Sequence, residues 1–221
     1  MIHFNPVRIN IIHDLLNSGY SVQTLDYGSF CKICEDLGAV VNTTQVKLNN
    51  DSSVSNLLAK PGAIPFHTDH PEIDIIAWYC INPGTGKDNH VHFIDGKEVI
   101  GKLTDEELNN LESVKVRFPP INNRLAGEAS LLTLSLDGLK LYYAPWLIAP
   151  NQSPSRLDSI NSFQKILLGS ILIEVELFNS SCIFVNNHRI LHGRNQIEKY
   201  SSRHLERNWI RFRERYASEA F

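Results

Sequence analysis

From Ile73 onward the sequence is a succession of short β-prone runs, each cut off by a turn signal. That punctuation restricts the chain to folds assembled from many short strands. Ile73 to Ile81 is apolar and β-branched, and Asn82-Pro-Gly-Thr-Gly86 stops it. Val91 to Ile94 is a second run, ended by Asp95-Gly96. Val114 to Phe118, Ser130 to Leu136 and Leu139 to Tyr143 follow, with Asp137-Gly138 marking a hairpin. Cys182 to Val185 and Trp209 to Phe212 are the last. The pattern predicts a β-sandwich or barrel, mainly β with flanking helices.

The helical signals lie around and between these runs. Asn10 to Asn17 places Ile11, Ile12, Leu15 and Leu16 at helical spacing, and Ser29 to Leu37 reads as a second helix closed by Gly38 at a C′ position. Tyr20 to Leu25 and Ala39 to Lys47 alternate like strands, whereas Asn49 to Pro61 is polar and loop-like. Leu103 to Leu111 opens on Thr104-Asp-Glu-Glu107, a capping-box start. Pro154 to about Glu174 is the longest candidate, with Leu157, Ile160, Phe163, Ile166, Leu167 and Ile171 near a helical period. No internal repeat or low-complexity tract divides the chain. Its 221 residues suit one domain: an N-terminal helix/strand cap over 1–60 and a core over 61–215, with 144–176 as lid loop and helix.

A formal charge of −3 supplies no basic field for a nucleic-acid partner. No apolar stretch approaches the roughly 18 residues of a membrane span. Met1 leads into polar residues instead of a basic stretch and an apolar run, so a cytoplasmic location is expected. Cys31-Lys-Ile-Cys34 has the CxxC spacing of zinc or redox sites, but without a second pair and on a helix pattern, which favours a structural or incidental role.

Nine histidines make position the deciding criterion. In an extended segment residues i and i+2 project to one face, so His67-Thr-Asp69 sets an imidazole and a carboxylate side by side. The later block Phe184-Val-Asn-Asn-His-Arg-Ile-Leu-His192-Gly-Arg194 delivers a histidine at the end of a buried β run. Two histidines and one carboxylate from separate strands form a facial triad that leaves metal positions open, the arrangement of non-haem Fe(II) oxygenases. Arg203 and Arg207 lie 11 and 15 positions beyond His192, before a strand over Asn208 to Phe212. Their spacing puts both guanidiniums on one face, a fork suited to a dicarboxylate. Arg211 shares that face by parity, and with Arg213 and Arg215 it keeps open the reading of a solvated basic strand edge.

Phe66-His-Thr-Asp69, Asn186-Asn-His-Arg-Ile-Leu-His-Gly-Arg194 and Ser202-Arg-His-Leu-Glu-Arg-Asn-Trp209 together resemble the taurine dioxygenase and clavaminate synthase superfamily, related to γ-butyrobetaine hydroxylase. The resemblance runs in order and spacing from about Gly62 to Phe212. It implies a double-stranded β-helix (jelly-roll) barrel with helices on one side. It implies Fe(II) held by His67, Asp69 and His192, 2-oxoglutarate on Arg203 and Arg207, and O₂ as oxidant. The activity implied is hydroxylation of an unactivated C–H in a small polar, amino-acid-like substrate, free or carrier-bound, with succinate and CO₂ as co-products. Asp69 argues against halogenation, because the related halogenases replace that carboxylate.

One feature departs from the family pattern. Relatives carry a threonine on the strand after the HxD triplet to assist the co-substrate carboxylate; here that strand reads Asn89-His-Val-His-Phe-Ile-Asp95, so Asn89, His90 or His92 would have to donate. Trp78, Tyr143 and Trp146 are the candidate substrate contacts, His188 a strand brace and Arg194 a carboxylate partner or loop anchor. Two other classes use a comparable donor set: a cupin-like metal- or ligand-binding jelly roll without oxygenase chemistry, and a zinc hydrolase, although no HExxH motif is present.

Overall fold

The computed structural model describes residues 5–48, 57–121, 125–135 and 138–212. Leu136 and Asp137 of the expected hairpin, much of the loop from Asn49, and Arg213 and Arg215 lie outside the described residues.

Two antiparallel sheets face each other. The larger has the order β1-β11-β4-β13-β2, formed by Tyr20–Thr24 (β1), Ser181–Asn186 (β11), Ile75–Asn82 (β4), His204–Phe212 (β13) and Gly38–Lys47 (β2). The smaller has the order β10-β5-β12-β3, formed by Ile173–Glu176 (β10), His90–Asp95 (β5), Ile190–Arg194 (β12) and Ile64–His67 (β3). Strand alternation fills the space between them: Ile76, Trp78 and Cys80 from β4, Ile183 and Val185 from β11, and Val91 and Phe93 from β5 point inward. This is the expected jelly-roll barrel. The N-terminal segment is part of it, because β1 and β2 form the two edges of the larger sheet.

Helices cover both outer faces, where the resemblance implied one side. Pro6–Asn17 (α1) and Tyr27–Leu37 (α2) bury Ile11, Leu15, Phe30 and Ile33 on the outward side chains of β4, β11 and β13. Gly96–Ile100 (α3), Asp105–Ser113 (α4) and Pro154–Leu168 (α5) bury Val99, Leu111 and Phe163 against Ile94 and Leu191 of the smaller sheet. Each sheet has an apolar outer face, and neither can be left to water. No described helix is long and apolar enough to cross a membrane.

Several local expectations hold. Thr104 and Glu107 form the capping box of α4, and Cys34 is packed in the helix–sheet core with all four thiols free. Others are corrected. The helix from Pro154 stops at Leu168, capped by Gly169, and Ile173–Glu176 pairs with β5 as a strand. Ile171 carried the apolar pattern past the true end yet is 73% exposed. The run from Ser130 splits in two: Gly127–Ser130 (β7) pairs with Lys115–Phe118 (β6), while Leu132–Ser135 (β8) pairs with Gly138–Leu141 (β9).

Gly38 does close α2, but not through a left-handed conformation: its φ is 174°, ordinary extended backbone. What it requires is space, since a Cβ there would overlap the carbonyl oxygen of Arg211 on β13. Gly38→Ala should therefore destabilise the protein by about 1–3 kcal/mol through overpacking. Urea denaturation reads this directly; an unchanged midpoint would show that β2 moves aside freely.

Candidate metal centre

β3 and β12 are neighbours in the smaller sheet, and their register sets His67 opposite His192. The two imidazole centroids lie 4.3 Å apart. Just beyond β3 the chain turns, and Asn187 fixes that turn: its side-chain oxygen accepts from the Asp69 backbone N–H at 2.7 Å, and its amide donates to the carbonyls of His70 and Ile73. Asp69 Oδ1 is thereby held 3.5 Å from His67 Nε2 and 3.6 Å from His192 Nε2. The three ligand atoms lie within 4.8 Å of one another, and all three residues are buried.

Each partner is prepared for a cation. His67 Nδ1 donates to the Pro65 carbonyl at 2.8 Å, which leaves the Nε2 lone pair facing the centre. Burial, and then the neighbouring His67, push the His192 imidazole down to about 4. Burial alone would push the Asp69 carboxyl up, but Arg207, with His192 and His67, holds it well below the usual carboxylate range. The result is a neutral His192 beside an ionised Asp69. A His₂-carboxylate set of this kind fits Fe(II) with positions to spare.

The second carboxylate oxygen is engaged separately. Asp69 Oδ2 accepts from Trp209 Nε1 at 2.6 Å and from Arg207 Nη1 at 3.0 Å. Both donors stand on the inward face of β13, two residues apart. They turn Oδ1, and only Oδ1, toward the histidines. Sequence reasoning passed over Trp209 and Asn187 as site residues, although both lie in the blocks that carry the family resemblance. Trp209→Phe keeps an aromatic side chain, though a smaller one, and deletes the donor, so Fe(II) affinity should fall about 10–100-fold in a chelator competition. Unaltered affinity would show that Arg207 suffices.

A cavity runs from His67 and His192 between the sheets to Arg203, walled by Trp78, Val91, Phe93 and Leu205. Arg203 is 7% exposed, and its hydrogen bonds go from Nη1 to the carbonyls of Asp88 and His90 at 3.0 and 3.1 Å. Among the described residues no carboxylate pairs with it. Burial, followed by the charge of Arg194, pushes its guanidinium down to about 10. A buried cation at the end of an apolar passage is a receptor for an anion, and the residues present fit a dicarboxylate reaching from the metal.

The remaining candidates separate by where their strands face. Arg207 lines this cavity and a second cleft on the far side of the triad. Arg211 does not join them, because its guanidinium is bonded to Glu72. None of Asn89, His90 and His92 faces the cavity: β5 turns Val91 and Phe93 inward, and the other three meet Glu174 and Glu176 of β10. Arg194 anchors a loop through the carbonyls of Leu58, Lys60 and Gly62. His188 braces Asp74. Trp78 stands edge-on to His192 at 5.2 Å and Trp146 edge-on to His67 at 5.0 Å. Tyr143 lines neither cavity; it is buried with its ring on Phe163 of α5.

Several solved structures share this architecture. Asparagine oxygenase in complex with Fe(II), 2S,3S-3-hydroxyasparagine and succinate superposes with a TM-score of 0.74 at 13% identity, over 92% of this chain and 78% of that one. The non-haem iron oxygenase OrfP in complex with Fe and α-ketoglutaric acid gives 0.74 at 14%, over 98% and 83%. PvcB from Pseudomonas aeruginosa gives 0.68 at 15%, over 92% and 79%. The chain has the fold of the non-haem iron oxygenases. No protein-family model matches the sequence, and no curated protein matches it by sequence.

Proposed function

We propose that this protein is an Fe(II)- and 2-oxoglutarate-dependent dioxygenase that hydroxylates an unactivated C–H of a small, amino-acid-like molecule. The observation that carries the reading is the passage joining the His67–Asp69–His192 cluster to the buried Arg203, which forms no ion pair among the described residues. In this reading His67, Asp69 and His192 hold the iron. Arg203 takes the distal carboxylate of 2-oxoglutarate. Arg207 steadies Asp69 and forms the partition between co-substrate cavity and cleft. Trp78, Phe93 and Leu205 keep the passage dry, which strengthens every charge interaction inside it. Bound iron and 2-oxoglutarate supply the oxidation: one O₂ is divided between succinate, released with CO₂, and the new hydroxyl group.

A zinc hydrolase on these ligands would want a free general base beside the metal. The adjacent imidazole, His70, does not serve: Nε2 donates to the Pro119 carbonyl at 3.2 Å and Nδ1 accepts from the Glu72 backbone N–H at 3.2 Å. The deciding experiment is an anaerobic titration of Fe(II)-loaded protein with 2-oxoglutarate, followed by the visible charge-transfer band of the chelate. Admission of O₂ should then release succinate. Bound iron with neither band nor succinate would return the protein to a cupin-like or zinc-binding role.

A further inference from the structure

The cleft opposite the co-substrate cavity reaches the triad over Asp69 and His67 and encloses about 300 Å³, the lower end of the range for small-molecule sites. Its lining includes Thr68, His70, Tyr142, Trp146, Arg207 and Trp209. Several of these residues carry polar atoms, but most of those atoms are turned into the protein. The Tyr142 hydroxyl donates to the Arg117 carbonyl at 2.7 Å, and Thr68 Oγ1 accepts from the Tyr143 N–H at 2.9 Å. Both nitrogens of His70 are engaged by backbone, which fixes it as a neutral ring. The Trp209 indole N–H is held by Asp69, whose Oδ2 is shared with Arg207. The cleft therefore presents apolar surface, in which rings stand beside the aliphatic side chains of Leu58, Ile64 and Leu147: His70 lies 6.2 Å from Trp209, and Trp146 stands edge-on to His67.

We infer that the substrate brings an aromatic group into this cleft beside the metal. The inference rests on the dioxygenase reading and narrows its substrate class. Aromatic rings pack on aromatic walls through offset and edge-on contacts, which a 300 Å³ cleft of this lining provides. A donor-rich end group such as a primary amide or a guanidinium would be desolvated there. Among the described residues the only side-chain carboxylate in the lining is Asp69, whose Oδ2 is held by Trp209 and Arg207 and whose Oδ1 faces the two histidines. Groups left unpaired in this way lose affinity tenfold or more. The asparagine oxygenase and OrfP structures that share the fold hold 3-hydroxyasparagine and (3S)-hydroxy-L-Arg, which carry such polar end groups, so the specificity inferred for this chain departs from theirs.

Two matched pairs of probes isolate the end group: L-phenylalanine against L-asparagine, and 3-phenylpropanoate against succinamate. Each is titrated calorimetrically into anaerobic Fe(II)-loaded protein, with and without 2-oxoglutarate. The aromatic member of each pair should bind at least tenfold more tightly, and Trp146→Ala should remove most of that preference. Equal or tighter binding of a polar member, or no binding by any of the four at 10 mM (about the weakest affinity a built site would show), overturns the inference. Succinate release is measured separately without any probe. Loss of 2-oxoglutarate binding would sink the dioxygenase reading while the aromatic preference is still read from the titrations lacking it.

Discussion

His192→Ala should abolish 2-oxoglutarate turnover and lower Fe(II) affinity by at least about a hundredfold, the upper range found even for partners that only orient a metal ligand. His192 is one of the three proposed donors, and no other described histidine, cysteine or carboxylate belongs to the cluster. It is also the cleanest of the three to remove. β12 is held on both sides by backbone pairing to β3 and β5, so truncating one side chain leaves the sheet intact. Asp69→Ala would instead strand the buried Arg207 without its carboxylate, a loss of about 3–5 kcal/mol in fold stability that would confuse the readout. Iron retention by a folded His192→Ala protein, measured by chelator competition, would mean that the triad is not the metal site.

Arg203→Ala should raise the KM for 2-oxoglutarate by a factor of about 30 to several thousand, from the 2–5 kcal/mol cost of truncating one partner of a buried charge pair. Fe(II) affinity should be unchanged, because Arg203 makes no contact with the triad. Arg203→Lys keeps the charge but loses the planar fork and should fall between the two. In the proposed reading a co-substrate carboxylate would give this deeply buried guanidinium an anionic partner. Burial holds the group down to about 10, and among the described residues only carbonyl oxygens accept hydrogen bonds from its guanidinium. A KM indifferent to Arg203→Ala would transfer the anchoring role to Arg207 and undo the division of labour between the two arginines.

The parts of this molecule that were legible in the sequence depend on local geometry. The strand runs were visible because each is bounded by its own turn residues, and the α4 start because Thr104 and Glu107 cap one another within a single turn. The pairing of His67 with Asp69 could be foreseen for the same reason: the two are separated by one residue. The failures were also local in origin. The apolar period after Pro154 continued through Ile171 into a segment that β5 captures as a strand. A period of one apolar residue in three or four does not distinguish a helix from the start of a short strand beyond it.

A sandwich or barrel of short strands, the closeness of His67 to Asp69 and the spacing of Arg203 and Arg207 were legible in the chain, because side-chain type, spacing and turn chemistry act over a few residues. Long-range contacts set how those groups are divided. Asp69 meets Trp209 and Arg207 across separations of 140 and 138 residues, and Arg211 is taken by Glu72 across 139. Whether His90 and His92 or Val91 and Phe93 face the cavity is set by the register of β5 between β10 and β12. A shift of one residue in that register would reverse every side chain on the strand. Such choices are settled by burial summed over whole sheets, an energy that no short stretch of chain contains.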